Sequence, residues 1–148
     1  MATTSAIVWE KCTPVFVDIH PEYLTIDETK IEAAITPKTK AIIPVHLYGQ
    51  CANMNPILEL AQRNNLVVIE DAAQAHGATI TNSKGEKTYT GAIGDLACFS
   101  FFPSKNMAVG GEGGMITTNN KKLWERMWSY KDHGKSFDAV MKLKNITS

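Results

Sequence analysis

Leu66-Val67-Val68-Ile69-Glu70 is the stretch from which the fold is read. Its branched apolar side chains run almost without interruption, which is the pattern of a parallel strand covered on both faces. Just upstream, Asn64-Asn65 breaks a helical pattern that begins near Pro56 and has Ile57, Leu58 and Ala61 on its inner face. A second apolar run, Ala41-Ile42-Ile43-Pro44-Val45-His46-Leu47, precedes that helix and ends at Tyr48-Gly49. Residues 27–35 read as a further helix, with Asp27 as its N-cap and Pro37 as its stop. Residues 13–19 read as a third strand, with Pro14 at its start, where a missing donor is tolerated. Residues 2–9 have helical composition but are too few to stand alone, so they read as the end of a longer helix. Strand, helix, strand, helix, strand predicts right-handed crossovers and parallel pairing. The fold class is therefore α/β, a mostly parallel sheet with helices on both faces.

Downstream, residues 82–94 are polar and glycine-bearing, a surface excursion. The next apolar run, Ala97-Cys98-Phe99-Ser100-Phe101-Phe102, stops at Pro103 and delivers Lys105 just past its end. Gly110-Gly111-Glu112-Gly113-Gly114 then predicts a turn, with residues 115–118 as an antiparallel partner. Asn119-Asn120 is placed to cap a helix whose Leu123, Trp124, Met127 and Trp128 form an apolar face, read as core. After Lys131 the chain turns polar and shows no domain-like closure.

The bulk numbers narrow the function classes. The 148 residues are 44% hydrophobic and 20% charged, enough for one domain with a real core. A formal net charge of +0 offers nothing to nucleic acid or to an anionic membrane surface. Cys12, Cys51 and Cys98 lack metal-ligand spacing and read as free thiols in a reducing compartment. No apolar run reaches membrane-spanning length and the N-terminus lacks a signal-peptide pattern, so the chain reads as cytoplasmic.

In parallel α/β sheets, ligands sit beyond the carboxyl ends of the strands. Asp71 occupies one such end, with Gln74 and His76 close behind it, and Ser100 to Lys105 occupies another. A lysine held there and partly desolvated gives the neutral amine that attacks a carbonyl. Each residue also has a plainer reading. Asp71 can cap a following helix, and Gln74 and Ser100 can satisfy local backbone. His46 and His76 read as hydrogen-bonded core or pocket-rim histidines, without a second ligand at metal spacing. The glycine run reads as hairpin geometry rather than a phosphate cradle.

Three motifs carry a resemblance: Ala41 to Gly49, Glu70-Asp71-Ala72-Ala73-Gln74-Ala75-His76-Gly77-Ala78, and Cys98 to Asn106 with Gly111 to Gly114. They resemble the DegT/DnrJ/EryC1/StrS family of aminotransferases, which use pyridoxal 5′-phosphate on nucleotide-linked keto sugars and related cyclitols. The resemblance implies the large domain of a fold-type-I enzyme. Lys105 would form the Schiff base and shuttle a proton, and Asp71 would hold the proton on the pyridine nitrogen. Gln74 would contact the ring or its 3′-oxygen, and Ser100 would bind the phosphate. Glutamate or glutamine would be the amino donor, and the active site would lie at a homodimer interface. Relatives with histidine at the lysine position include dehydratases, so Lys105 favours transamination over a sugar dehydratase.

The family is more than twice this length, so residues 1–148 are expected to form an incomplete large domain. The upstream phosphate-binding segment, the ring-stacking aromatic residue and the smaller C-terminal domain would lie outside it. Exposed sheet edges, association and weak cofactor affinity are the expected consequences. A truncated, catalytically silent protein that binds a partner is the alternative from another class.

Overall fold

The computed structural model describes residues 1–82 and 84–146. Its elements in order are α1 (Ala2–Trp9), α2 (Glu28–Ala34), β1 (Ala41–Ile42), α3 (Met54–Asn64) and β2 (Val67–Asp71). Then come β3 (Thr79–Thr81), β4 (Lys87–Tyr89), β5 (Leu96–Ser100), β6 (Gly114–Thr117), α4 (Lys121–Lys131) and α5 (Phe137–Ile146). The main sheet has the order β1-β2-β5-β6. β1, β2 and β5 are mutually parallel, and β6 returns antiparallel to β5. β3 and β4 form a separate two-stranded hairpin. The architecture is α/β with a mostly parallel sheet, as the apolar runs predict.

The unit β1–α3–β2 forms as expected. Pro56 lies in the first turn of α3, and Asn65 ends the helix in the left-handed region at φ 51°. That conformation aims the Leu66 N–H back at the Ala61 carbonyl, 2.9 Å away. Met54, Ile57, Leu60 and Ala61 of α3 pack with Ile31 of α2, Ile42 of β1 and Val68 of β2 to make the core. Each fully buried large side chain here, Met54 and Ile57 among them, contributes about 1.5–3 kcal/mol. β1 is short because Pro44 has no N–H to give the ladder. Parallel pairing still resumes beyond it at Val45 and Asp71, with the His46 N–H donating to the Asp71 carbonyl at 2.9 Å.

Four expectations need correction. Residues 13–19 are extended but form no strand; only Ile19 bridges, to Ile26. Propensity alone makes no ladder, and no described strand lies alongside, so Val15 and Phe16 stay exposed. Among the described residues the crossover from β2 to β5 holds turns and the β3–β4 hairpin and no helix, so residues 82–94 are more than a surface excursion. The face of α4 is not core. None of its residues is buried; Trp124 and Trp128 instead meet Phe137 edge-on, at 4.8 and 5.2 Å between ring centroids. That aromatic sits on α5, a helix formed where the chain had read as merely polar. The Asn120 cap of α4 does form, its side chain accepting from the N–H groups of Lys122 and Leu123.

The alternation of β2 sorts its side chains between two faces. Val68 and Glu70 face α3 and residues 90–95, whereas Ile69 and Asp71 face the other way with Cys98 and Ser100. Residues 90–95 lie close against β2. Asp95 exchanges two hydrogen bonds with Val68, 2.9 Å from its N–H to the Val68 carbonyl and 2.8 Å from the Val68 N–H to its Oδ2. A Cβ on Gly94 would stand 2.8 Å from that same Val68 carbonyl oxygen. Gly94→Ala should therefore lower unfolding free energy by about 1–3 kcal/mol, read from the urea midpoint, because backbone rather than a flexible side chain must yield.

Candidate active site

Three strand ends meet at one edge of the sheet: Tyr48-Gly49 beyond β1, Asp71 at the end of β2, and Ser100 at the end of β5. Asp71 sits opposite Cys98 in register. Its Oδ2 accepts from the Thr3 hydroxyl of α1 at 2.6 Å, and its Oδ1 accepts from the Ala73 N–H at 3.2 Å. The Ala73 bond closes a local turn, not a helix cap: residues 72–78 form successive turns, through the Ala75 N–H to the Ala72 carbonyl and the Ala78 N–H to the Ala75 carbonyl. Asp71 thus presents a carboxylate fixed on two sides at the edge where ligands bind.

Gln74 hangs from the same turn, and its Oε1 accepts from the Tyr48 N–H at 3.2 Å. With the oxygen engaged by a donor, the amide nitrogen is the end left to donate. Tyr48 makes this bond from the left-handed region, φ 54°. Ser100 accepts a long bond from the Phe102 N–H, 3.4 Å, and keeps its own proton to give. Lys105 follows in a turn made by its N–H on the Phe102 carbonyl, 2.9 Å. Of residues 102–112 it is the one that is not exposed, and among the described residues its Nζ has no hydrogen bond or ion pair. The glycine run behind it serves hairpin geometry. The Phe101 N–H donates to the Gly113 carbonyl at 2.8 Å, and a Cβ on Gly113 would stand 2.6 Å from Val109 Cγ2.

Beneath this edge lies a network that the sequence reading missed. Glu70 is fully buried and accepts four hydrogen bonds: from His46 Nε2 at 3.0 Å, and from the N–H groups of Gly91, Ile93 and Gly94 at 2.8 Å each. His46, also fully buried, accepts the Ala52 N–H on Nδ1 at 3.1 Å, so its proton sits on Nε2 and points at Glu70. Burial opposes ionisation of Glu70, but the His46 and backbone donors outweigh it and hold the carboxyl below the ordinary glutamate range. The available signal was a glutamate at an inward position of an otherwise apolar strand. His76 differs from expectation: its ring packs between Phe99 and Phe101, and neither buried ring nitrogen has a partner among the described residues.

All three cysteines are free thiols. Burial, and then the Glu70 charge, pushes the Cys51 thiol up to about 12. Burial and then the Asp71 carboxylate raise Cys98. Neither is poised as a nucleophile. Among the described residues no cluster of His, Cys, Asp and Glu is arranged to hold a metal ion, and no helix is long and apolar enough to cross a membrane.

The fold and this edge define an α/β domain that offers a fixed carboxylate, a tucked lysine and two amide or hydroxyl donors at the carboxyl ends of adjacent parallel strands. The chain belongs to the DegT/DnrJ/EryC1/StrS aminotransferase family, whose model matches residues 1–147. It is 49% identical over 134 residues to a UDP-N-acetyl-3-dehydro-alpha-D-glucosamine 3-aminotransferase of Acidithiobacillus ferrooxidans, covering 90% of this chain and 35% of that one. It is equally 49% identical over 134 residues to a GDP-perosamine synthase of Caulobacter vibrioides, covering 90% of this chain and 34% of the relative. The crystal structure of S. venezuelae DesV in complex with a ketimine intermediate superposes with a TM-score of 0.82 at 40% identity, covering 90% of this chain and 35% of that one. The chain spans about a third of the length of these relatives.

The Glu70 network makes a pH prediction. A carboxyl held low in the folded state and ordinary in the unfolded one, near 4.5, stabilises the fold fully above that value. The contribution is lost as pH falls through the lowered folded value. Acid unfolding should steepen below the ordinary glutamate range. Glu70→Gln should flatten that dependence and cost about 2–4 kcal/mol at neutral pH, since an amide cannot accept from all four donors. Circular dichroism across a pH series checks both.

Proposed function

We propose that residues 1–148 are the central part of the cofactor-binding large domain of an aminotransferase. In this reading the enzyme uses pyridoxal 5′-phosphate to move an amino group from glutamate or glutamine to a nucleotide-linked keto sugar or a related cyclitol ketone. What supports it is Asp71 at the carboxyl end of β2 and Lys105 in the turn beyond β5, the neighbouring parallel strand, in a chain of this family. The donor set fits the cofactor: one carboxylate for a ring N–H, one free amine for an aldehyde, and the Gln74 amide and Ser100 hydroxyl for oxygens.

Pyridoxal phosphate, when bound, supplies the electron sink for the substrate carbanion. Asp71 would hold a proton on the ring nitrogen, its own plane fixed by Thr3 and Ala73. Lys105 Nζ would take a proton from substrate carbon and return it. The Ser100 hydroxyl would donate to the phosphate, and Gln74 Nε2 to a ring oxygen. A lysine at position 105 supports transamination over dehydration.

Equal identity to one relative named for a UDP-linked sugar and one named for a GDP-linked sugar supports a reading in which this stretch does not choose the nucleotide. Residues outside it would do so, together with a homodimer partner. The proposed location is the cytoplasm.

Incubation with pyridoxal phosphate, borohydride reduction and peptide mass analysis test the reading. Label trapped on Lys105 and abolished in Lys105→Ala is the expected result. Label scattered over several lysines, or none, would overturn a cofactor site in this chain and leave the silent, partner-binding alternative.

A further inference from the structure

We infer that Thr3 is a positioning residue for Asp71, and that Asp71 in return docks α1 at the edge of the site. The Thr3 Oγ1 to Asp71 Oδ2 bond, 2.6 Å, joins residues 68 apart in sequence and ends on a carboxylate. Bonds to charged acceptors are the strong ones, about twice a neutral pair. α1 has little else to hold it. It is eight residues long, none of them buried, and Trp9 at its end is 85% exposed. A helix of that length is marginal alone. Thr3, Thr4 and Ile7 are its half-buried positions, so one short face lies towards the sheet.

At Asp71 the bond has a second consequence. Ala73 holds Oδ1 from within the turn, and Thr3 holds Oδ2 from another element. Together they fix the carboxylate plane, which a single local bond leaves free to rotate about χ2. Resting on the function proposed above, a ring nitrogen would then meet an acceptor already oriented. A methyl in place of the hydroxyl would leave Asp71 held on one side only.

Two measurements on the 148-residue chain test this, with Thr3→Val, Thr3→Ser, Asp71→Ala and the double variant Thr3→Val/Asp71→Ala. The first is hydrogen–deuterium exchange of the peptide covering residues 2–9, without cofactor. Thr3→Val and Asp71→Ala should each speed exchange by about ten- to a hundredfold, the loss expected of one hydrogen bond to a charged group. The double variant should add nothing to either single change, and Thr3→Ser should behave as the parent chain. Unchanged exchange in Thr3→Val, or additive effects in the double variant, overturns the docking.

The second is the visible absorbance of added pyridoxal phosphate at fixed pH, with borohydride trapping alongside. If Lys105 is labelled, Thr3→Val should alter the bound-cofactor band and weaken apparent affinity by about three- to tenfold, with Thr3→Ser restoring both. A Thr3→Val spectrum and affinity identical to the parent overturn the positioning role. If the parent chain is not labelled on Lys105, a cofactor site in this chain falls instead, and exchange decides the Thr3–Asp71 tie by itself.

Discussion

A glutamate carboxylate taken wholly out of water is a heavy cost unless its oxygens are saturated with donors, and Glu70 has four. Those donors come from two separate places. His46 lies beyond β1, and the N–H groups of Gly91, Ile93 and Gly94 belong to the segment that leads into β5. One side chain in the middle strand therefore clamps the chain before it and the chain after it. Thr117 adds a further tie, its hydroxyl donating to the Gly91 carbonyl at 2.6 Å, which brings in β6. Thr90 ties the same segment to the turn behind Asp71, its hydroxyl donating to the Ala75 carbonyl at 2.6 Å.

The candidate site depends on that clamp through the pleat of β2. Consecutive residues of a strand point to opposite faces, so anchoring Glu70 inward obliges Asp71 to face outward. The parallel register then places Cys98, and two residues on Ser100, on the same face as Asp71. Lys105 is reached by a turn beyond that strand. Its tucked position among exposed neighbours comes from the Phe102 turn and the β5–β6 hairpin. A structural carboxylate and the candidate site carboxylate thus sit side by side in sequence, on opposite faces of β2.

Exposure at residues 13–19, at α1 and along α4 has a common physical cause. Val15, Phe16 and Trp9 lie open, and the tryptophans of the α4 stripe meet Phe137. Apolar periodicity reports that a segment seeks a neighbour, and says nothing of whether that neighbour lies within the same 148 residues. The strand expected at 13–19 and the core face expected of α4 were misread for this reason. Residues 137–146 carry apolar side chains at helical spacing, Phe137, Val140 and Met141 among them, and form the helix whose Phe137 meets the α4 tryptophans.

The local order is legible along the chain. The apolar runs at 41–47, 66–70 and 97–102, the Pro56 helix start, the Asn65 stop, the Asp27 and Asn120 caps and the glycine hairpin follow from propensity, periodicity and backbone permission within a few residues. Residue types at strand ends also pointed to Asp71 and Lys105 as candidates, and the family resemblance added candidate roles for Gln74 and Ser100. It takes the folded chain to show that Thr3 reaches Asp71, that Tyr48 turns the Gln74 amide, and that Glu70 gathers His46 with a loop more than twenty residues away. Those contacts join residues distant in sequence through single hydrogen bonds. A hydrogen bond has a direction and a length but no period, so it leaves no pattern along the chain that could be read before the chain is folded.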